Sequence, residues 1–509
     1  MSITTIVCSP HELKEELTLV MTEEFAVSQK NAESAYDGRL EEFFNRLKGS
    51  AQFVIEYPYV DKVYRDSYYS YFSSKLQQYQ RNCIRVSVFD GSVAPDQFRN
   101  ATGVADLRSR YWGFVIIRPT IPNVLGRSVV SPRALRENGF LCLTSKFQTT
   151  VCAVKFEAVG FPHASQDTET ITCAETALWA MMEYFSSRYT EYKPLTASTI
   201  MNTLRNQSYF RQLPSEGLSI KQMSFALREL GFGTKSYLRT MYSSASFTNL
   251  LSIYIESGIP LILSISDRYI GGGIGHAVLA IGRTETTSDD IDRLVVSMEE
   301  DAVVAARMCE KNIRIVECAD IEHRFVFIDD NYSAYQLASL EEPMVYYNND
   351  SWRRCEIVEF LVPLYPKVYM DAMAARLYIK DVLMGERFNI PSDTELFIRV
   401  FLTSSRSYKD YLAIEDNFPG KFKEAILNLP MPKFIWVGEI SSRVLMKQRM
   451  ANGLVIVDVT EIQTSGDHAL LAWGYGEYCY YKNGLVVKLV QNTIPLKMFN
   501  IFINNLKGF

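Results

Sequence analysis

The chain has 509 residues, 47% of them hydrophobic and 22% charged, with 30 Tyr and 29 Phe. That composition excludes a disordered chain, and the length exceeds what one compact core accommodates, so about three domains are expected. A net charge of −5 supplies no general basic face, so no nucleic acid partner is expected.

The first twenty residues lack a basic segment followed by an apolar core and a cleavage site, so no secretory signal is expected. No apolar run approaches the roughly 18 residues that a membrane span needs. The nine cysteines are scattered and form no C-x-x-C pair, which suits reduced thiols, a cytoplasmic location and no zinc site. Neither a metal nor a cofactor is expected.

In chain order, "HELKEELTLVMTEEF" reads as a helix and "YVDKVYRDSYYSYFSSKLQQYQRN" as a long Tyr-rich helix. "CIRVSVF" alternates as a strand, and "YWGFVIIRPTIP" is an apolar strand ended by prolines. This N-terminal mixed α/β domain, 1–155, shows no chemistry of its own. The motifs concentrate in a middle domain, 156–345. A stretch over 284–320, polar and then helix-like, reads as an insertion. The C-terminal mixed α/β domain, 346–509, continues with the strand "EIVEFLVPLY" and the helix "VYMDAMAARLYIKDVL". The strands "KFIWVGEI", "GLVIVDV", "HALLAWGYG" and "YCYYKNGLVVKLV" follow.

Within the middle domain, "QDTETITCAETALWAMMEYFSSRY" places Ala177, Met181 and Phe185 on one helical face. The helix starts near Thr172 or Cys173. Its dipole and free N–H groups favour a thiolate on Cys173, the reactive form of a cysteine. Gln166, seven positions upstream, carries an amide able to share a developing oxyanion with the backbone N–H of Cys173. Next come the amphipathic helix "GLSIKQMSFALRELGF" and the turn and strand "SGIPLIL". "GHAVLAIG" then puts His276 at the head of a strand, and "FVFIDD" ends a strand in Asp329 and Asp330.

These five elements in this order resemble the papain-like cysteine peptidases, and within them the bacteriocin-processing type, over roughly residues 160–345. The resemblance implies an α+β fold with a papain-like core: a helix-borne Cys packed on an antiparallel sheet that carries His and Asp. It implies a catalytic set of Cys173 as nucleophile, His276 as base and then acid, and Asp330 as the orienting acid, with Asp329 as its rival. Gln166 is the implied oxyanion donor. The long His276-to-Asp330 interval is assigned to the insertion. A thiol hydrolase acting on a peptide or isopeptide bond of a protein or peptide substrate is therefore expected. A transglutaminase, deamidase or acyltransferase would use the same residues. A non-catalytic scaffold binding a protein partner through its flanking domains is the third reading.

"GDHALLAWGYG" echoes the His276 motif around His468. Its candidate nucleophile, Cys355, opens a strand rather than a helix, and no Asp follows His468, so a polar residue at a strand edge is expected there. His11, His163 and His323 are read as ordinary structural histidines, with His163 close enough in sequence to Cys173 to line the same cleft.

Overall fold

The structure, a computed structural model, describes residues 3–205, 217–267, 274–294, 296, 298–385, 390–418, 420–460, 469–474, 477–482, 485–491 and 498–509. His468 and residues 271–273, which precede His276, lie outside that set. The fold is α+β, with three large, mainly antiparallel sheets and one two-stranded sheet, Met450–Ala451 with Phe499–Asn500, among the described residues. No described helix is long and apolar enough to cross a membrane.

The first sheet is antiparallel and runs Thr4–Cys8, Ala51–Tyr59, Cys83–Asp90, Tyr111–Ile117, Leu125–Val130, Val154–His163, Ser145–Val151. The Tyr-rich helix expected beside it is short. It spans Lys62–Ser70, started by Asp61, whose Oδ1 accepts from the N–H groups of Val63 and Tyr64. It stops where serine hydroxyls turn back onto the chain: Ser70 Oγ donates to the Asp66 carbonyl and Ser74 Oγ to that of Tyr71. Such bonds compete with helix propagation.

The middle sheet runs Gln336–Ala338, Phe325–Ile328, Gly275–Thr284, Leu261–Asp267, Cys355–Leu364, Gly233–Leu238. Phe140–Cys142, from the N-terminal third of the chain, adds to the outer half of Gly275–Thr284. Cys355–Leu364, expected beyond residue 346 as part of a separate region, lies inside this sheet. Its residues are mostly buried on both faces, as an interior strand requires. The segment read as an insertion holds two helices, Ser288–Arg293 and Ala302–Lys311, and then Ile313–Glu317. That last strand pairs in parallel with Thr394–Ser404 at the edge of the third sheet. "YCYYKNGLVVKLV", read as one strand, contains two, Glu477–Lys482 and Leu485–Gln491, paired antiparallel.

One apolar cluster runs from Cys8 to Leu506 and includes residues of all three large sheets. At its centre lies the helix Cys173–Arg188, buried all round from Ala174 to Phe185. It packs on Gly275–Thr284 on one side and on Ser145–Val151 and Val154–His163 on the other. A helix clamped between two sheets is a rigid mount for its first residue.

Candidate active site

Cys173 is the first residue of that buried helix, and Thr172 is its cap. Glu175 Oε2 accepts the Thr172 N–H at 3.1 Å and also takes the Thr172 hydroxyl. The loop before the cap is tied by Asp167, whose Oδ1 accepts from the N–H groups of Glu169 (2.9 Å), Thr170 (2.7 Å) and Ile171 (3.0 Å). Those bonds hold Thr168 in the left-handed region, at φ 64°, where a threonine is strained. Cys173 is half-buried, so its thiol is fixed without being sealed in the core.

His276 faces the helix from the head of its strand, paired opposite Ile265. The ring lies within side-chain hydrogen-bonding reach of Cys173. Its Nε2 stands 2.9 Å from Asp329 Oδ1, which leaves Nδ1 as the nitrogen for the sulfur. Asp329 follows directly on Phe325–Ile328, the strand paired with that of His276 through Ile328 and Leu279. Adjacent antiparallel strands therefore deliver imidazole and carboxylate to one end of the sheet.

The Asp329 carboxylate is fully buried and fully used. Oδ1 also accepts the Asn331 N–H at 2.9 Å, and Oδ2 accepts the hydroxyls of Tyr346 and Tyr347, both at 2.9 Å. Burial by itself pushes this carboxyl up, but the His276 charge and the bonds to His276, Asn331 and Tyr346 hold it below the ordinary value. For His276, burial favours the neutral ring, and the neighbouring Asp329 overcomes it, raising the ring well above its ordinary value. Trp352 sets its ring perpendicular to His276, 5.3 Å between centroids, and stacks on Tyr347 at 4.4 Å. Together they cover the imidazole beside its bond to Asp329.

Of the two acids read from the sequence, Asp329 makes the hydrogen bond and Asp330 does not. Asp330 Oδ1 lies 3.7 Å from the same Nε2, and neither of its oxygens has a hydrogen-bond partner. Burial pushes its carboxyl up to about 7. Successive residues at a strand end point different ways, and only one of two adjacent carboxylates lines up with the ring. Gln166 joins the same cluster indirectly: its Nε2 donates to Asn331 Oδ1 at 3.0 Å.

His276, Asp329 and Asp330 offer potential metal-ligand atoms within 4.8 Å of one another. A cation there would have to displace the bond between His276 and Asp329 and compete with two tyrosine hydroxyls. The donors present are those of a hydrogen-bonded acid–imidazole pair.

Several site residues carry no sequence motif. His163 Nε2 donates to the Asp329 carbonyl at 3.0 Å, and burial pushes this ring below its ordinary value. The N-terminal region supplies a second brace. Arg39 Nη1 donates to the Asn331 carbonyl at 2.6 Å; Arg46 reaches the carbonyls of Ala334 (2.8 Å) and Tyr335 (2.7 Å); Glu42 accepts the Ser333 N–H. Two sequence signals point to part of this set: the nearness of His163 to Cys173 in the chain, and the Tyr and Trp residues after an acid-ended strand.

Comparison with known proteins finds no matching family model and no matching curated protein.

Proposed function

We propose that the chain is a thiol hydrolase of papain-like type that cleaves a peptide or isopeptide amide bond. The observation that carries this reading is His276, which reaches Cys173 while its Nε2 is bonded to a buried, fully satisfied carboxylate. In the proposed reaction Nδ1 takes the thiol proton and the sulfur attacks the carbonyl carbon. The imidazolium returns a proton to the leaving amine as the C–N bond breaks, and water then hydrolyses the thioester. Asp329 fixes the tautomer and orientation of the ring and stabilises its charge. The Cys173 N–H, one of the unpaired donors of a helix start, is the proposed oxyanion donor. Gln166 is its proposed partner, steadied by Asn331.

The test incubates the purified chain with a defined peptide mixture and reads the products by mass spectrometry, alongside Cys173→Ala and His276→Ala. Cleavage by the parent protein alone supports hydrolysis. Deamidation or cross-linking, lost in the same variants, moves the assignment to acyl transfer. A parent protein that does none of these, and whose Cys173 is alkylated no faster than the exposed Cys309, overturns the reading.

A further inference from the structure

Apart from the candidate active site, a cavity of about 200 Å³ lies where the middle and third sheets meet. None of the residues lining it belongs to the Cys173–His276–Asp329 cluster. Its apolar walls include Ile253, Ile291, Ile398, Val400, Met446 and Leu506. Space on this scale holds on the order of ten waters or one small organic molecule.

The cations around it are held unequally: Arg399 bonds the buried Glu439 as well as Glu256, whereas two others have exposed partners alone. Arg283, Arg399, Lys447 and Arg449 face the cavity against Glu256 and Glu317. Glu256 is saturated from within: it accepts from Arg283 Nε at 2.8 Å and from Arg399 Nη2 at 2.6 Å. Glu317 is neutralised by Arg376 and Lys380, which are not part of the lining. Lys447 and Arg449 remain, paired only with the exposed Asp292 and Glu285. Exposed pairs of this kind are weak and screened. His323, in the same wall, accepts from the Thr286 hydroxyl at 2.9 Å as a neutral ring. The Ser252 hydroxyl, on the helix Ser244–Glu256 one turn before Glu256, is buried, lines the cavity and has no hydrogen-bond partner. Unused buried donors are rare in folded proteins and point to a missing acceptor.

We propose that this cavity binds an amphiphilic organic anion, a medium-length hydrocarbon chain bearing one carboxylate. The apolar walls take the hydrocarbon, Lys447 and Arg449 exchange their exposed partners for the anion, and Ser252 supplies a hydrogen bond that no protein atom uses. The site stands independently of the proposed hydrolase activity.

The test is calorimetric titration of the full chain with decanoate and, as a control of equal length and opposite charge, decyltrimethylammonium. Saturable binding of one decanoate per chain is expected, with the cation weaker by at least about tenfold. The double variant Lys447→Ala/Arg449→Ala removes two side chains outside the core and weakens decanoate by about tenfold. Ala319→Trp fills the cavity from its half-buried wall and abolishes binding; circular dichroism checks its folding, and the rim variant decides the question if it does not fold. Equal binding of the two ions, unaltered binding in the rim variant or in folded Ala319→Trp, or no binding by the parent chain overturns the proposal.

Discussion

His276 Nε2 and Asp329 Oδ1, both buried, stand 2.9 Å apart, while Asp330, the next residue, holds a carboxyl 3.7 Å from the same nitrogen with no partner of its own. The two acids therefore separate in function. Asp329→Asn keeps the shape but reverses the hydrogen-bond polarity toward the ring, and is expected to lower turnover by about 10²–10⁴. Asp330→Asn retains most of the activity. Steady-state rates on any peptide substrate recovered by mass spectrometry decide this, and comparable losses in the two variants would contradict it.

Asp330 also sets a pH signature on stability. Its folded value, about 7, lies above the ordinary 3.8, so the folded state binds the proton more tightly than the unfolded chain. The sign follows: Asp330 destabilises progressively as pH rises from about 4 to 7 and levels off above, with an upper bound of about 4 kcal/mol. Asp330→Asn removes that penalty. Urea unfolding at pH 5 and pH 8 is expected to show the variant more stable than the parent, by a margin that widens at the higher pH.

The imidazole behaves oppositely. His276 is raised above 6.5 because Asp329 is beside it, and Asp329 is lowered below 3.8 because His276 is beside it. The pair contributes stability that is fully present between those ordinary values. It fades as pH rises through the raised His276 value, and again as pH falls through the lowered Asp329 value. Ring-proton NMR across a pH titration is expected to find the His276 midpoint above 6.5. His323, which burial and Arg283 lower to about 3, stays neutral across the same range. A His276 midpoint at or below 6.5 would break the link to Asp329.

Much of this arrangement is legible in the sequence because it follows from short periodicities. A capped helix with a cysteine at its start, a strand opening on His276 and a strand closing in two aspartates each read from about ten residues. What is not legible depends on pairing across long distances. Asp329 and Asp330 are neighbours, and only the strand register between Ile328 and Leu279 says which one meets the ring. Cys355–Leu364 reads as a strand but not as a member of the middle sheet, because partner choice leaves no local trace. The bracing of the Asn331–Tyr335 loop by Arg39, Glu42 and Arg46 joins residues nearly three hundred positions apart, and no pattern within the N-terminal region announces it.

That brace is open to test in its own right. Arg46 is largely buried and donates to three acceptors: Ser333 Oγ and the carbonyls of Ala334 and Tyr335. Ser333 Oγ keeps its bonds to Gln336 and Glu42 in Arg46→Ala, but the Ala334 and Tyr335 carbonyls lose this donor, which is expected to cost about 2–4 kcal/mol of stability. Because the loop continues from Asp329, alkylation of Cys173 by iodoacetamide should slow in the same variant, while that of the distant Cys309 is unchanged. Destabilisation without the reactivity change would confine Arg46 to a folding role.

Trp352 supplies the last test, since it does no chemistry yet touches the ring that does. Its indole stands edge-to-face with His276 and stacks on Tyr347, whose hydroxyl bonds Asp329. Removing it admits water beside the His276–Asp329 pair, and in higher dielectric the attraction between imidazolium and carboxylate weakens. Trp352→Ala is therefore expected to move the His276 NMR midpoint down toward 6.5 and to lower turnover by about tenfold. Trp352→Phe keeps a ring in place and retains most of both. The two readouts must move together: a turnover loss with an unshifted His276 midpoint would mean that Trp352 contacts the substrate rather than shielding the pair, and a shift in both variants alike would mean that covering the ring is not what the indole does.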